Sequence, residues 1–434
     1  MNEIITILSL FSPTLAPKTL KQLIVICEAM LAMTGRVTML GIARWTEKGG
    51  SYRTLQRFFK QQIDWGKLRW LLIKQHLTGV QGTYILAADE VVVTKSGHKT
   101  HGLGIFFSSI YGKALPSLCF LGLSLIHVEA EQSYALLMEQ LVRQNVQETA
   151  PKAVEKKKPG RPKGSKNKNH AQVELSPFLL QLQGCIRQVL TLIRLHLQVT
   201  YFVYDGALGN NSALQMVKQT RLHLISKLRH DSKLFLPYQG EYQGKGRPRK
   251  YGDRLTLDNL PENSFRKEKT EDDILTKIYQ LPVWHELFPV QLNLVMIVKT
   301  NLKTGKTAKV LLFCDDLTLN YDLLIQYYSL RFQIEFDFRD SKQYWGLEDF
   351  MNIGETQVNN AANLSWFMVT FSRVILAKMP GVQPGSLLDL KTVFRARKVT
   401  RRIINLLGIN ADEFLSDDRI FEAAEIGRIH AKAA

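Results

Sequence analysis

The chain has 434 residues, 45% of them hydrophobic, and a formal net charge of +18. That length is enough for more than one domain and a large core, and the charge suits a polyanionic partner, nucleic acid ahead of an anionic membrane surface. Four scattered cysteines, Cys27, Cys119, Cys185 and Cys314, give neither a disulfide framework nor a C-x-x-C zinc site. No run is long and apolar enough for a bilayer, and the N-terminal stretch lacks the basic start of a signal peptide. The expectation is an intracellular, cytoplasmic protein with no membrane partner.

Residues 1–78 read as a helical N-terminal domain. Lys18 to Met33 and Val37 to Trp45 carry helical periodicity, Gly49 and Gly50 interrupt it, and Ser51 is placed to cap a helix through Phe59. On that last helix Arg53, Arg57 and Lys60 fall at i, i+4 and i+7. Helix, glycine turn and basic-faced helix form the layout of a helix-turn-helix DNA reader; a solvated helical cap is the plainer reading.

From residue 79 to 234 the pattern turns to α/β. Tyr84 to Thr94, Gly104 to Tyr111 and Leu118 to Val128 are strand candidates, expected as an antiparallel meander, and Ser133 to Gln144 is expected to be helical. A basic insert at 151–170 interrupts this core. Its Lys152 to Lys168 stretch holds eight basic residues and one acid. The Gly-Arg-Pro-Lys centre, with Arg161 and Lys163, resembles an AT-hook arm for the minor groove; Gly246-Arg247-Pro-Arg249 repeats the theme. Phe178 to Leu197 is a helix. Strand, helix, strand follow at Thr200 to Asp205, Ser212 to Gln219 and Leu222 to Leu228. Residues 235–318 read as a β-rich insertion. Residues 319–380 bring back helices, one expected to run unbroken from Tyr321 to Tyr344 and a second from Gln357 to Met379. Residues 381–434 form a helical C-terminal region.

The order of elements predicts an α/β fold with an RNase H-like core. In such a core the first strand is central, the fourth pairs beside it, and a late helix crosses that edge. Asp89 on the first strand, Asp205 at the end of the fourth and Glu335 on the late helix would then converge. Carboxylate oxygens suit hard cations, Mg2+ or Mn2+, and two ions per site can activate an attacking hydroxyl and stabilise a leaving oxygen of a phosphodiester. Tyr328, Arg331, Glu335 and Lys342 stack on one helical face, so cations able to grip phosphate flank the acid. Each acid also has a plainer reading. One residue of register would put Glu90 rather than Asp89 at the site, Asp205 before Gly206 suits a turn, and Glu335 can pair with Arg331 as a surface salt bridge. Trp345 either stacks on a flipped base or fills the core.

The pattern Tyr328, two residues, Arg331, three residues, Glu335, six residues, Lys342 resembles the signature of IS4-like DDE transposases of bacterial insertion sequences. So does the acid region from Asp89 to Gly97. The turn Asp205-Gly-Ala departs from the basic turn common in that group. The resemblance implies a metal-binding catalytic triad of Asp89, Asp205 and Glu335. It implies that Arg331 and Lys342 grip transposon-end phosphates and that Tyr328 contacts the terminal phosphate or sugar. The implied reaction is cleavage at transposon ends followed by strand transfer into target DNA, by a homodimer in the synaptic complex, in a prokaryotic, nucleoid-associated setting. Two other readings stand beside it: a non-catalytic DNA-binding protein derived from a transposase, and another two-metal nuclease on the same fold.

Overall fold

The structure is a computed structural model that describes residues 2–47, 49–76, 82–108, 110–143, 170–242, 244, 246, 248–379, 385–408, 419 and 426–430. The chain opens with five helices: α1 (Asn2–Leu8), α2 (Pro17–Ala32), α3 (Met39–Arg44), α4 (Tyr52–Phe59) and α5 (Trp65–His76). Local chemistry sets their starts. Pro17 opens α2 at a position that needs no N–H donor. Thr38 Oγ1 accepts from Gly41 N to cap α3, and Ser51 Oγ accepts from Thr54 N to cap α4.

The sheet follows. Its strands are β1 (Tyr84–Thr94), β2 (Gly104–Ser108), β3 (Lys113–His127) and β4 (Gln132–Leu141). After α6 (Pro177–Ile193) come β5 (Val199–Val203), α7 (Asn211–Lys218) and β6 (His223–Leu228). Then run β7 (Leu234–Pro237), β8 (Tyr251–Arg254), β9 (Phe265–Glu271), β10 (Ile274–His285), β11 (Leu292–Asn301) and β12 (Thr307–Cys314). Helices α8 (Tyr321–Leu330), α9 (Gln333–Gln343), α10 (Glu355–Lys378) and α11 (Leu387–Leu406) follow.

Strand β1 is central. It pairs antiparallel with β3, with Asp89 opposite Gly122, and parallel with β5, with Ala87 opposite Val203. Strand β6 continues in parallel beyond β5, and β4 lies antiparallel on the outer side of β3. The order β4-β3-β1-β5-β6 is that of an RNase H-like core, with the crossover helices α6 and α7 in their expected places. The late strands do not form a sheet of their own: β12 pairs antiparallel with β6, so β11 and β10 extend the same sheet outward.

Three local expectations are corrected. The stretch expected to be helical from Ser133 to Gln144 is a strand over its Ser133 to Leu141 part, which lies in β4; Gln144 lies outside the described residues. Ala135, Leu136, Leu137 and Met138 favour helix locally, but β4 is covered on both faces, so no polar alternation marks it as a strand. Second, β2 lies on the outer edge of β3 rather than between β1 and β3, so the meander runs through β1, β3 and β4. Third, the helix expected from Tyr321 to Tyr344 breaks at Arg331 and Phe332. There Phe332, Ile334 and Glu335 bond to the carbonyls three residues back, which tightens the turn between α8 and α9. No proline or glycine marks this break.

The N-terminal helices share a core with the late helices. Phe11 packs on Phe367 at 5.9 Å between ring centroids, Trp65 Nε1 donates to Asn360 Oδ1 at 2.7 Å, and Lys391 Nζ donates to Met30 O at 2.7 Å. Arg69 of α5, fully buried, ties three elements together: its Nε donates to Leu136 O on β4 and its Nη2 to Asn363 Oδ1 on α10. Burial pushes its pKa down to about 9.

Candidate active site

Asp89 sits where β1 emerges from its fully buried stretch. Its Oδ1 accepts from Glu90 N at 2.8 Å, and its Oδ2 accepts from Arg331 Nη1 at 2.6 Å. Glu90 turns the other way, accepting from Tyr204 Oη at 3.3 Å and from the Cys119 thiol. The register thus sets Asp89, not Glu90, beside α9. Asp205 follows β5. Carrying the parallel pairing of Ala87 with Val203 two residues further brings it beside Asp89. Its Oδ1 caps the following turn by accepting from Ala207 N at 2.8 Å, and Ser226 Oγ donates to its carbonyl at 2.6 Å. The turn role and a place at the site therefore coexist in one residue.

Glu335, in the first turn of α9, is half-buried and faces Arg331, whose Nη2 stands 3.5 Å from its Oε1. One guanidinium thus lies between Asp89 and Glu335. Burial raises the Asp89 carboxyl above its ordinary pKa; Arg331 pulls it down and Asp205 adds to the rise. Burial likewise raises Glu335, against Arg331 and with Asp89. Tyr328 is half-buried on α8; burial pushes its phenol up, Arg331 opposes this, and Asp205 and Asp89 reinforce it. Lys342 closes the row one α9 length away: its Nζ donates to Val92 O at 3.0 Å and pairs with Glu348 at 3.0 Å. A cleft of about 690 Å³ runs along this seam, lined by Asp89, Val92, Glu335, Arg339 and Lys342 among others.

What holds α9 against the sheet was not visible in the sequence. Asp337, two residues past Glu335, is fully buried; it accepts from Ser124 Oγ at 2.8 Å and from Ser133 Oγ, and pairs with Arg373 of α10 at 2.6 Å. The lone arginine in the otherwise uncharged stretch of α10 between Glu355 and Lys378 was the one signal available. Nearby, Phe338 crosses β3 where Gly122 stands opposite Asp89. A Cβ on Gly122 would sit 2.7 Å from the Phe338 ring, so the helix approaches this closely only over glycine.

Among the described residues, no three His, Cys, Asp or Glu side chains stand close enough together to hold a metal ion. The donor chemistry nonetheless fits a hard divalent cation. Asp89 and Glu335 share one guanidinium and Asp205 adds a further carboxylate beside Asp89, leaving an excess of negative charge that such an ion matches. Arg331 Nε, buried and with no acceptor among the described residues, leaves a donor to spare for an anion.

The other candidates are dispersed. Arg53, Arg57 and Lys60 are exposed on one face of α4, with Leu55, Phe58 and Phe59 on the buried face. Arg249 is exposed, its Nε donating to Tyr251 O and its guanidinium lying 4.9 Å from the Tyr238 ring centroid. Arg161, Lys163 and Arg247 lie outside the described residues. Trp345 is fully buried beneath Lys391, so it fills the core and offers no face to a base. No described helix is long and apolar enough to cross a membrane.

Residues 11–277 match the family model of the DDE superfamily endonucleases. That span contains Asp89 and Asp205 and ends before Glu335. Comparison with curated proteins found no match.

Proposed function

The chain belongs to the DDE superfamily endonucleases, and from that premise we propose that it is an IS4-like transposase that cleaves DNA at transposon ends and joins the freed ends to target DNA. Family membership supports a metal-dependent nuclease acting on DNA; the finer reading rests on one observation. Arg331 binds Asp89 and reaches Glu335 within the Tyr328–Arg331–Glu335–Lys342 row, while β1 and β5 set Asp205 beside Asp89.

In this reading Asp89, Asp205 and Glu335 hold two Mg2+ or Mn2+ ions. When bound, these supply Lewis acidity to the attacking and leaving oxygens of the phosphodiester. Glu90 N fixes one oxygen of Asp89, and the turn at Ala207 fixes one of Asp205, so both carboxylates are oriented before substrate arrives. Arg331 offsets the repulsion between Asp89 and Glu335 in the protein alone and has a spare N–H for a phosphate. Lys342 exchanges Glu348 for DNA phosphate, and Tyr328 contacts the terminal nucleotide. The basic face of α4, with Arg161, Lys163, Arg247 and Arg249, adds backbone contacts. Two copies act together on paired ends, in the bacterial cytoplasm at the nucleoid.

Glu335→Gln keeps the shape and the hydrogen bond to Arg331 but removes the charge. It should abolish cleavage of a DNA fragment carrying the sequences that flank the gene, in Mg2+ or Mn2+, and leave DNA binding within about twofold. Cleavage at the normal rate by the purified variant would overturn the assignment. The position of Arg331 between two of the acids favours a second reading, a DNA-binding protein without catalysis. A parent protein that binds the flanking sequences but neither takes up Mn2+ nor cuts would establish it.

A further inference from the structure

Strands β2 and β3 project as a hairpin whose outer face is apolar. Ile105 and Phe107 are 55% and 64% exposed, and Ile110 and Tyr111 in the turn are 72% and 59% exposed. Single exposed apolar side chains are ordinary, but four on one tip are not. The hairpin is also firmly anchored. Phe106 and Ser108 alternate inward, the Arg143 guanidinium lies 4.4 Å from the Phe106 ring centroid, and Arg143 Nη1 donates to Ile105 O at 2.8 Å.

Phe107 and Ile110 line the same cleft as Asp89, Glu335 and Lys342. The cleft follows α9 from Glu335 to Gln343, a length of about 12 Å at 1.5 Å per residue. By strand register Asp89 and Glu335 stand at one end, and the apolar hairpin lies toward the other, where Glu348 is paired with Lys342. Arg339, stacked on Phe336, and Lys342 stand between them, and exposed Lys113 flanks the hairpin.

We propose that Phe107 and Ile110 form a stacking ledge for unpaired bases of the DNA strand whose phosphate lies at the carboxylates. The proposal rests on the DNA-cleaving reading of that site. A single strand carries both chemistries the cleft displays, phosphates for the cations and π-faces for the ledge. In a paired duplex those faces are covered by neighbouring bases, so the ledge selects splayed DNA. A second copy of the chain docking here would have to bury the acids and cations of the same cleft as well.

The test uses the full chain in metal-free buffer and two DNAs of one sequence, a fully paired duplex and the same duplex with one end unpaired. Each carries 2-aminopurine near the junction. The parent should bind the forked DNA at least tenfold more tightly and change the probe's fluorescence. Phe107→Ala/Ile110→Ala should bring the ratio to near one with duplex affinity unchanged, and Phe107→Trp should keep the preference. Retention by the tryptophan variant separates loss of stacking from damage to the hairpin. An unchanged ratio in the double variant, or a parent without preference, overturns the ledge even where the protein binds and cuts DNA. A double variant that changes only the size of the particle by light scattering overturns it in favour of contact between copies. Failure of the parent to bind either DNA would remove the functional reading itself.

Discussion

Asp337→Ala tests whether the site depends on the buried anchor behind it. The substitution removes the acceptor of Ser124 and Ser133 and the partner of Arg373. Breaking a buried ion pair by deleting one partner costs about 3–5 kcal/mol. Arg373 keeps its bond to Ser133 O and is 17% exposed, so some water reaches it. The lower end, about 3 kcal/mol, is therefore expected. Urea denaturation measures it, as a lower midpoint at unchanged slope. Because Glu335 lies on the same short helix, cleavage by the folded variant should also fall, by about a hundredfold if Glu335 moves by about 1 Å. Asp337→Leu/Arg373→Met, apolar on both sides, should recover most of the stability. A loss below about 1 kcal/mol for Asp337→Ala, or a double variant no more stable than the single one, would refute the anchor.

Gly122→Ala should destabilise the protein by about 1–3 kcal/mol through overpacking against Phe338, seen as a lower melting temperature; a neutral melt would show that α9 yields freely. For pH, burial first and neighbouring acid second raise Asp89 and Glu335 against the pull of Arg331, so the native state binds protons that the unfolded chain has released. Their contribution to metal-free stability is full below the ordinary carboxylate range, about pH 4, and falls as pH climbs through the raised values. Mn2+ affinity must run the opposite way, weakening on acidification with an onset above about pH 4. Calorimetric titrations from pH 7 downward check this, and an onset below pH 4 would contradict it.

The core order was legible because β1 and β5 are rich in β-branched residues, because β5 and β6 are short runs on either side of the α7 pattern, and because Asp205 precedes a glycine turn. Strand β4 was not: Ala, Leu and Met favour helix in isolation, and only helices on both sides of the sheet make that stretch a strand. The row from Tyr328 to Lys342 was visible as a spacing, yet its backbone break was hidden, since Arg331 and Phe332 carry no breaking chemistry. Asp337 escaped notice because a buried acid and its arginine stand 36 positions apart in sequence. Spacing within a helix reads directly; partners brought together by the fold do not.

The shared core of first and last helices bears on synthesis at the ribosome. Phe11 and Trp65 are synthesised roughly three hundred or more residues ahead of their partners Phe367 and Asn360. At about 5–20 residues per second, the leading helices wait tens of seconds with apolar faces uncovered. Such long-range closure also slows folding once the chain is free. The growing chain is therefore expected to need a holding chaperone, and a polypeptide stopped before α10 to aggregate rather than persist as a folded fragment.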